Sequence, residues 1–428
     1  KDADIYRKTL KLTMGRIDKV YDGTDRTRTL TPTDIIIDPG TFAGADNFSL
    51  NDAAAGKLTG RYDGTDVKRA ADGTVLDRTV TYTGFDKALE ELAKTESKAK
   101  NYRMDDQQGV GKILPRRITH DELKAGLNFA SATKEYDGTD AVVHKSGDVK
   151  NYLNDAHVNV TVGSETKRFD LDKDLISIQS ATYDSPNVRS DKAERVTYRL
   201  SYDNRQGNFE LTGGTVLTKE SLGTITLRKI YAEVRELNPT KTYNKSGAIV
   251  GEAYNGGIRP ISEADLQNHV TYRHYVKTDT GHTYDGNVLV DSDKGKLRTN
   301  MSAEFANPNV AWKNNQWRNE KQGDAKAVTY TFTLSGDAAA ENYEFVDQNG
   351  NAFTNEMNGT TRSAQMTRAD GRIDPYRIEL RAQSRELRAG EGLPSVFEGT
   401  PSGSNYKTPL NERLSGTIRY TASSAQAR

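Results

Sequence analysis

Three short marks recur three times, in one order, along the 428 residues, and this restricts the chain to a tandem array before composition is considered. The first mark is a lysine, one residue, then a tyrosine-led turn. It reads Lys19-Val20-Tyr21-Asp22-Gly23-Thr24, then Lys134-Glu135-Tyr136-Asp137-Gly138-Thr139, then in altered form Lys241-Thr242-Tyr243-Asn244-Lys245. The tyrosines stand about 110 residues apart, which is domain-sized. The second mark is an aromatic residue, a polar turn and a valine: Tyr62-Asp63-Gly64-Thr65-Asp66-Val67, Tyr183-Asp184-Ser185-Pro186-Asn187-Val188 and Phe305-Ala306-Asn307-Pro308-Asn309-Val310. An alternating stretch follows each, such as Thr79-Val80-Thr81-Tyr82. The third mark opens with Asn101-Tyr102-Arg103-Met104, Asn208-Phe209-Glu210-Leu211 or Asn342-Tyr343-Glu344-Phe345. It closes on a glycine-led strand: Gly111-Lys112-Ile113, Gly223-Thr224-Ile225 or Gly371-Arg372-Ile373.

The apolar period of two, the β-branched and aromatic content and the Asp-Gly punctuation predict strands joined by tight turns. One wet and one buried face per strand suits antiparallel sheets packed face to face. The expected fold is all-β: tandem antiparallel β-sandwich repeats, immunoglobulin-like, in an elongated array with minor helical insertions. In such sandwiches a tyrosine two residues before an inward position ties down a loop, a spacing Tyr343 and Phe345 share. Residues 1–8 read as the end of a preceding repeat. The repeats then span 9–118, 119–230 and an enlarged, divergent 231–378, before a short fourth stretch at 379–428 with Gly416-Thr417-Ile418 as its closing strand. A helix is expected within Phe85 to Lys100, and Thr119-x-x-Glu122 has the form of a capping box.

Composition excludes several functions. Apolar residues make up only 34%, so the cores are thin, as in several small domains. Lysine plus arginine balances aspartate plus glutamate at 60 each, which removes a general electrostatic case for nucleic acid. There is no cysteine, hence no disulfide or thiolate chemistry. No apolar run approaches the ~20 residues of a membrane span.

The marks resemble the YDG-type repeats and the related mostly bacterial immunoglobulin-like (MBG) domains of large, filamentous-haemagglutinin-like surface adhesins. The lysine–Tyr-Asp-Gly-Thr opening, the Asn-Tyr strand and the Gly-x-Ile closing strand carry the resemblance over about residues 9–378. The third repeat departs at Tyr243-Asn244-Lys245, and 379–428 looks more MBG-like. The resemblance implies an extracellular, bacterial cell-surface protein that projects a binding region or assembles into a filament. Its partners would be neighbouring repeats, further copies, or a surface glycan or protein. It implies no catalytic residue, and the chain is not expected to be an enzyme.

Candidate sites follow. Tyr21, Asp22, Gly23, Tyr136, Asp137, Gly138 and Tyr243 are structural turn positions, each ring packing on its own domain. Trp312 and Trp317, in a polar stretch of the third repeat, form a candidate ligand-binding loop and the centre of an alternative, directly adhesive reading. His269, His274 and His282 read as solvated strand residues, not ligands. Asp170, Asp172 and Asp174 fail the calcium-loop test, which needs glycine at the sixth position and glutamate at the twelfth. Calcium at a domain junction is the one cofactor they leave open. Gly109-x-Gly111 is a fragment of a dinucleotide pattern ahead of a strand, not a helix. Domains about 35–40 Å long, joined without Gly/Ser- or Pro-rich linkers, would give a semi-stiff rod on the order of 150 Å.

Overall fold

A computed structural model describes residues 5–376 apart from 163, 190–192, 236, 252–259, 317 and 319. The segment 379–428 lies outside the described residues. Among the described residues the protein is mostly β, with 45% in strands against 14% in helices. It forms two compact units. The first holds 1–134, 140–185 and 189–224; the second holds 135–139, 186–188 and the chain from 225 onward.

In the first unit, strands Thr59–Tyr62, Arg78–Thr83 and Gln107–Gly111 form one antiparallel sheet. Leu127–Phe129, Leu153–Val162 and Glu165–Asp170 form a second. A four-stranded sheet runs in the order Ala132–Glu135, Val216–Thr226, Glu194–Tyr202, Ile176–Tyr183. The second unit contains a sheet ordered Gly281–Asp285, Val270–Thr278, Arg228–Val234, Tyr343–Val346. Its larger sheet is built around Thr361–Asp374 and Ala325–Ser335. The alternating stretches behave as expected. Val80 and Tyr82, Val196, Tyr198 and Leu200, and Val328, Tyr330, Phe332 and Leu334 are all fully buried, while the residues between them face outward.

The sheets are not wholly antiparallel, which corrects the expectation. Lys8–Thr9 pairs parallel with Tyr102–Arg103, Arg116–Ile118 with Phe209–Leu211, and Arg228–Val234 with Tyr343–Val346. Lys19–Val20 pairs parallel with Ile113–Leu114, and Thr240–Thr242 with the end of Thr361–Asp374. Each repeat therefore lays its entering strand beside the strand of its own third mark, and its lysine-bearing strand beside its own closing strand. Lys8 thus meets the first of the third marks, Arg116–Ile118 the second and Arg228–Val234 the last. Pro115 and Leu227 are the single residues between the successive strands there.

The helices are short. Phe85–Leu92 buries Phe85, Ala88, Leu89 and Leu92, then gives way to a 3-10 turn at Ser97–Asn101. The capping box at Thr119 is present: the Glu122 N–H donates to Thr119 Oγ1 at 3.2 Å, and Glu122 Oε2 accepts the Thr119 N–H at 2.7 Å. Among the described residues, the short α-helices Asp52–Ala55 and Glu263–Asn268 were not expected from the sequence. Among the described residues no helix is long and apolar enough to cross a membrane.

Candidate functional site: the turn and asparagine clasps

The lysine side chain of the first mark is largely covered and holds its own turn. Lys19 Nζ donates to Asp22 Oδ1 at 2.7 Å, to the Thr24 carbonyl at 2.6 Å and to the Arg26 carbonyl at 2.9 Å. Its charge lies 5.7 Å from the Tyr62 ring centre, as Lys134 lies 5.6 Å from that of Tyr183. Asp22 Oδ1 accepts the Thr24 N–H at 2.9 Å, and Asp137 Oδ1 accepts that of Thr139 at the same distance. Asp22 sits below the usual carboxylate range: burial opposes the charge, but Lys19 and the two Thr24 donors outweigh it. Gly23 and Gly138 take φ of 76° and 79°, as the turn requires.

The altered third turn keeps this geometry. Asn244 Oδ1 accepts the Ser246 N–H at 3.0 Å, and Lys241 Nζ donates to the Ser246 and Ala248 carbonyls at 2.9 and 3.0 Å. The N–H groups of Tyr21, Tyr136 and Tyr243 all donate to the closing strand of their own repeat, at Leu114, Thr226 and Asp374. The three tyrosines thus hold equivalent backbone positions. Lys245 stands where glycine stood and takes φ of 68°, a left-handed conformation disfavoured for a side chain with a Cβ. Lys245→Gly should therefore raise the stability of the second unit by about 0.5–1 kcal/mol, read as a shift in the denaturation midpoint. A fall would mean that the lysine side chain contributes more than its backbone strain costs.

The rings of Tyr21 and Tyr136 depart from expectation, because they pack on the repeat that follows. Within the first unit the Tyr21 ring lies 5.5 Å from both Phe169 and Phe209, residues of the second repeat. Within the second unit Tyr136 lies 5.5 Å from Tyr343, and its hydroxyl donates to Asp293 Oδ2 at 3.0 Å. Tyr343 donates to the same oxygen at 2.8 Å and accepts the Val290 N–H at 3.1 Å, so it ties down a loop as its spacing suggested. Burial, then Asp293, pushes the Tyr136 hydroxyl up to about 12 and raises that of Tyr343 as well. A Cβ at Gly23 would lie 2.7 Å from Phe169, and one at Gly138 2.7 Å from Ser292 Oγ. Valine at 138 would thus disturb the third repeat, not the second alone.

The second and third marks form a second clasp that the sequence reading missed. Asn208 Oδ1 accepts the Val67 N–H at 2.8 Å while its Nδ2 donates to Asp66 Oδ1 at 2.8 Å. Asn342 repeats this on Val188 and Asn187, at 2.7 and 3.0 Å. One side-chain amide reads one backbone N–H and one acceptor side chain, a two-point fit that fixes register. The only sequence signal was an asparagine ahead of the aromatic in all three third marks.

The other candidates fall outside this pattern. Trp312 is half-buried and leads into a turn in which Asn314 and Asn315 take φ of 60° and 54°; Trp317 lies outside the described residues. The Lys313 N–H and Arg318 both bond Asp324, which ties this stretch down. His274 is buried instead of solvated, and its Nε2 is bonded to Glu135, with Arg228 3.7 Å from the same carboxylate. His282 is exposed and stacks on Tyr275. Asp170 pairs with Arg168, and Asp172 caps the turn Lys173–Leu175. Among the described residues no three His, Asp or Glu side chains converge to hold a metal ion. No model of a known protein family matches the chain, and no curated protein matches it significantly.

Proposed function

We propose that the chain is a structural segment of an extracellular bacterial surface adhesin. Each repeat would be an immunoglobulin-like β-sandwich of the YDG type, and the array would hold a binding region away from the cell or build a surface filament. The observation that supports this reading most is the doubled clasp. Tyr21 with Asn208, and Tyr136 with Asn342, connect successive marks by the same ring contact and the same two-point amide bond. Parts spent on joining repeats belong to a protein whose task is to keep repeats in line, and they need no catalytic residue. Pro115, the single residue between strands of the first and second repeats, adds a rigid joint with no slack. Small-angle scattering of the whole chain tests the proposal. A rod would give a radius of gyration near ~40 Å, against about 22 Å for one compact globule of this length. A value near the compact one would sink the stalk reading.

A further inference from the structure

We propose that the first repeat carries an open acceptor site for the Lys-x-Tyr-Asp-Gly-Thr turn of another repeat of this kind, built like the site that Tyr136 fills. The filled site has three parts. A third-mark tyrosine, Tyr343, donates to the Asp293 carboxylate. The backbone N–H three residues before that aspartate, at Val290, donates back to the tyrosine oxygen. The asparagine ahead of the tyrosine, Asn342, holds the companion turn.

All three parts recur in the first repeat. The Tyr102 hydroxyl donates to Asp46 Oδ2 at 2.8 Å and accepts the Ala43 N–H at 2.8 Å, again with the amide three residues before the aspartate. Asn101 precedes Tyr102 as Asn342 precedes Tyr343. The ring environment resembles the second repeat, where Tyr21 rests against Phe169 and Phe209: Phe42 and Phe48 lie 5.6 and 5.5 Å from Tyr102. Lys8 pairs with Tyr102 in the register by which Arg116 meets Phe209 and Arg228 meets Tyr343. A chain entering at Lys8 therefore passes the site as the two observed chains do.

What differs is occupancy. Asn342 is fully buried and Asp293 is 3% exposed, whereas Asn101 is exposed and Asp46 and Phe48 are half-exposed. Asp46 meets Lys98 at 3.1 Å and Tyr102, where Asp293 meets two tyrosine hydroxyls. The occupant follows from the precedents: a tyrosine hydroxyl for Asp46, as Tyr136 gives Asp293, its ring for the Phe48–Tyr102 face, as in both, and an Asp/Asn-Val turn for the Asn101 amide, as in both.

The test joins a second copy of residues 116–227 directly ahead of Lys8 in the full chain and follows amide hydrogen exchange. Filling the site should slow exchange of the Ala43 N–H by about tenfold, and Tyr136→Ala in the added copy alone should abolish that gain. Amides of the added copy equivalent to Glu194–Tyr202 report whether it folds. A folded added copy that leaves Ala43 unchanged overturns the proposal. So does protection that survives the Tyr136→Ala change, or an added copy that cannot fold ahead of Lys8. The inference rests on the stalk reading only for why such turns come in series. A compact scattering value with Ala43 protection intact would remove the stalk and leave the acceptor, and the converse pair of results would do the opposite.

Discussion

Replacing Tyr136 with alanine should cost the second unit about 3–5 kcal/mol, the usual range for deleting a buried aromatic side chain. The ring is 3% exposed, lies edge-on to Tyr343 and donates to a carboxylate that is itself buried. Its loss leaves a cavity and removes one of the two tyrosine donors to Asp293. Tyr136→Phe keeps the ring and should cost about 1.5–3 kcal/mol, the worth of a hydrogen bond to a charged group. Chemical denaturation reads the difference, and hydrogen exchange along Tyr343–Val346 locates it. Unchanged exchange there in the alanine variant would mean that the ring supports nothing in the second unit. The pair also separates by pH. The Tyr136 hydroxyl is raised from its ordinary value near 10 to about 12, so its contribution is complete below pH 10 and fades as pH rises through 12. The phenylalanine variant lacks that part of the alkaline loss.

Gly111→Ala should be as damaging, at about 3 kcal/mol or more, for a steric reason. A Cβ on Gly111 would lie 1.7 Å from the Ile17 carbonyl oxygen, so backbone must move away from backbone. That movement pulls on the bonds joining Ile17 to Val110 and Lys19 to Lys112, at 3.3 and 2.9 Å. Thermal unfolding of Gly111→Ala beside Val110→Thr makes the comparison, since Val110 is half-exposed and should shift stability by no more than about 0.5 kcal/mol. Equal midpoints would show that the closing strand does not need its close approach. The residue that resembled a fragment of a dinucleotide pattern is a packing glycine.

The strands were legible because burial on one face writes itself into a sequence as alternation, and Tyr82, Tyr198 and Tyr330 lie where that alternation put them. The turns were legible because Asp-Gly has few other uses. Pairing direction was not: Arg116 meets Phe209 across a long stretch of chain, and period two is silent about partners. Nor could the sequence say which body a side chain would serve. Tyr136 reads as a turn position and His274 as an ordinary strand residue, and only the folded chain brings Tyr136 to Asp293 and His274 to Glu135. Asn208 was hidden for a related reason, since a lone asparagine at a strand start has a dozen local uses and this one reaches back to Val67.

The parallel pairing of Lys19–Val20 with Ile113–Leu114 has a mechanical consequence. When the two ends of a repeat are drawn apart, parallel terminal strands slide along each other, and their hydrogen bonds resist together instead of opening one by one. In the first repeat the bonds from Ile17, Lys19 and Tyr21 to Val110, Lys112 and Leu114 share such a load. In the third, Arg372 with Pro239 and Tyr243 with Asp374 do so. Strands paired this way resist a steady pull until their bonds break together.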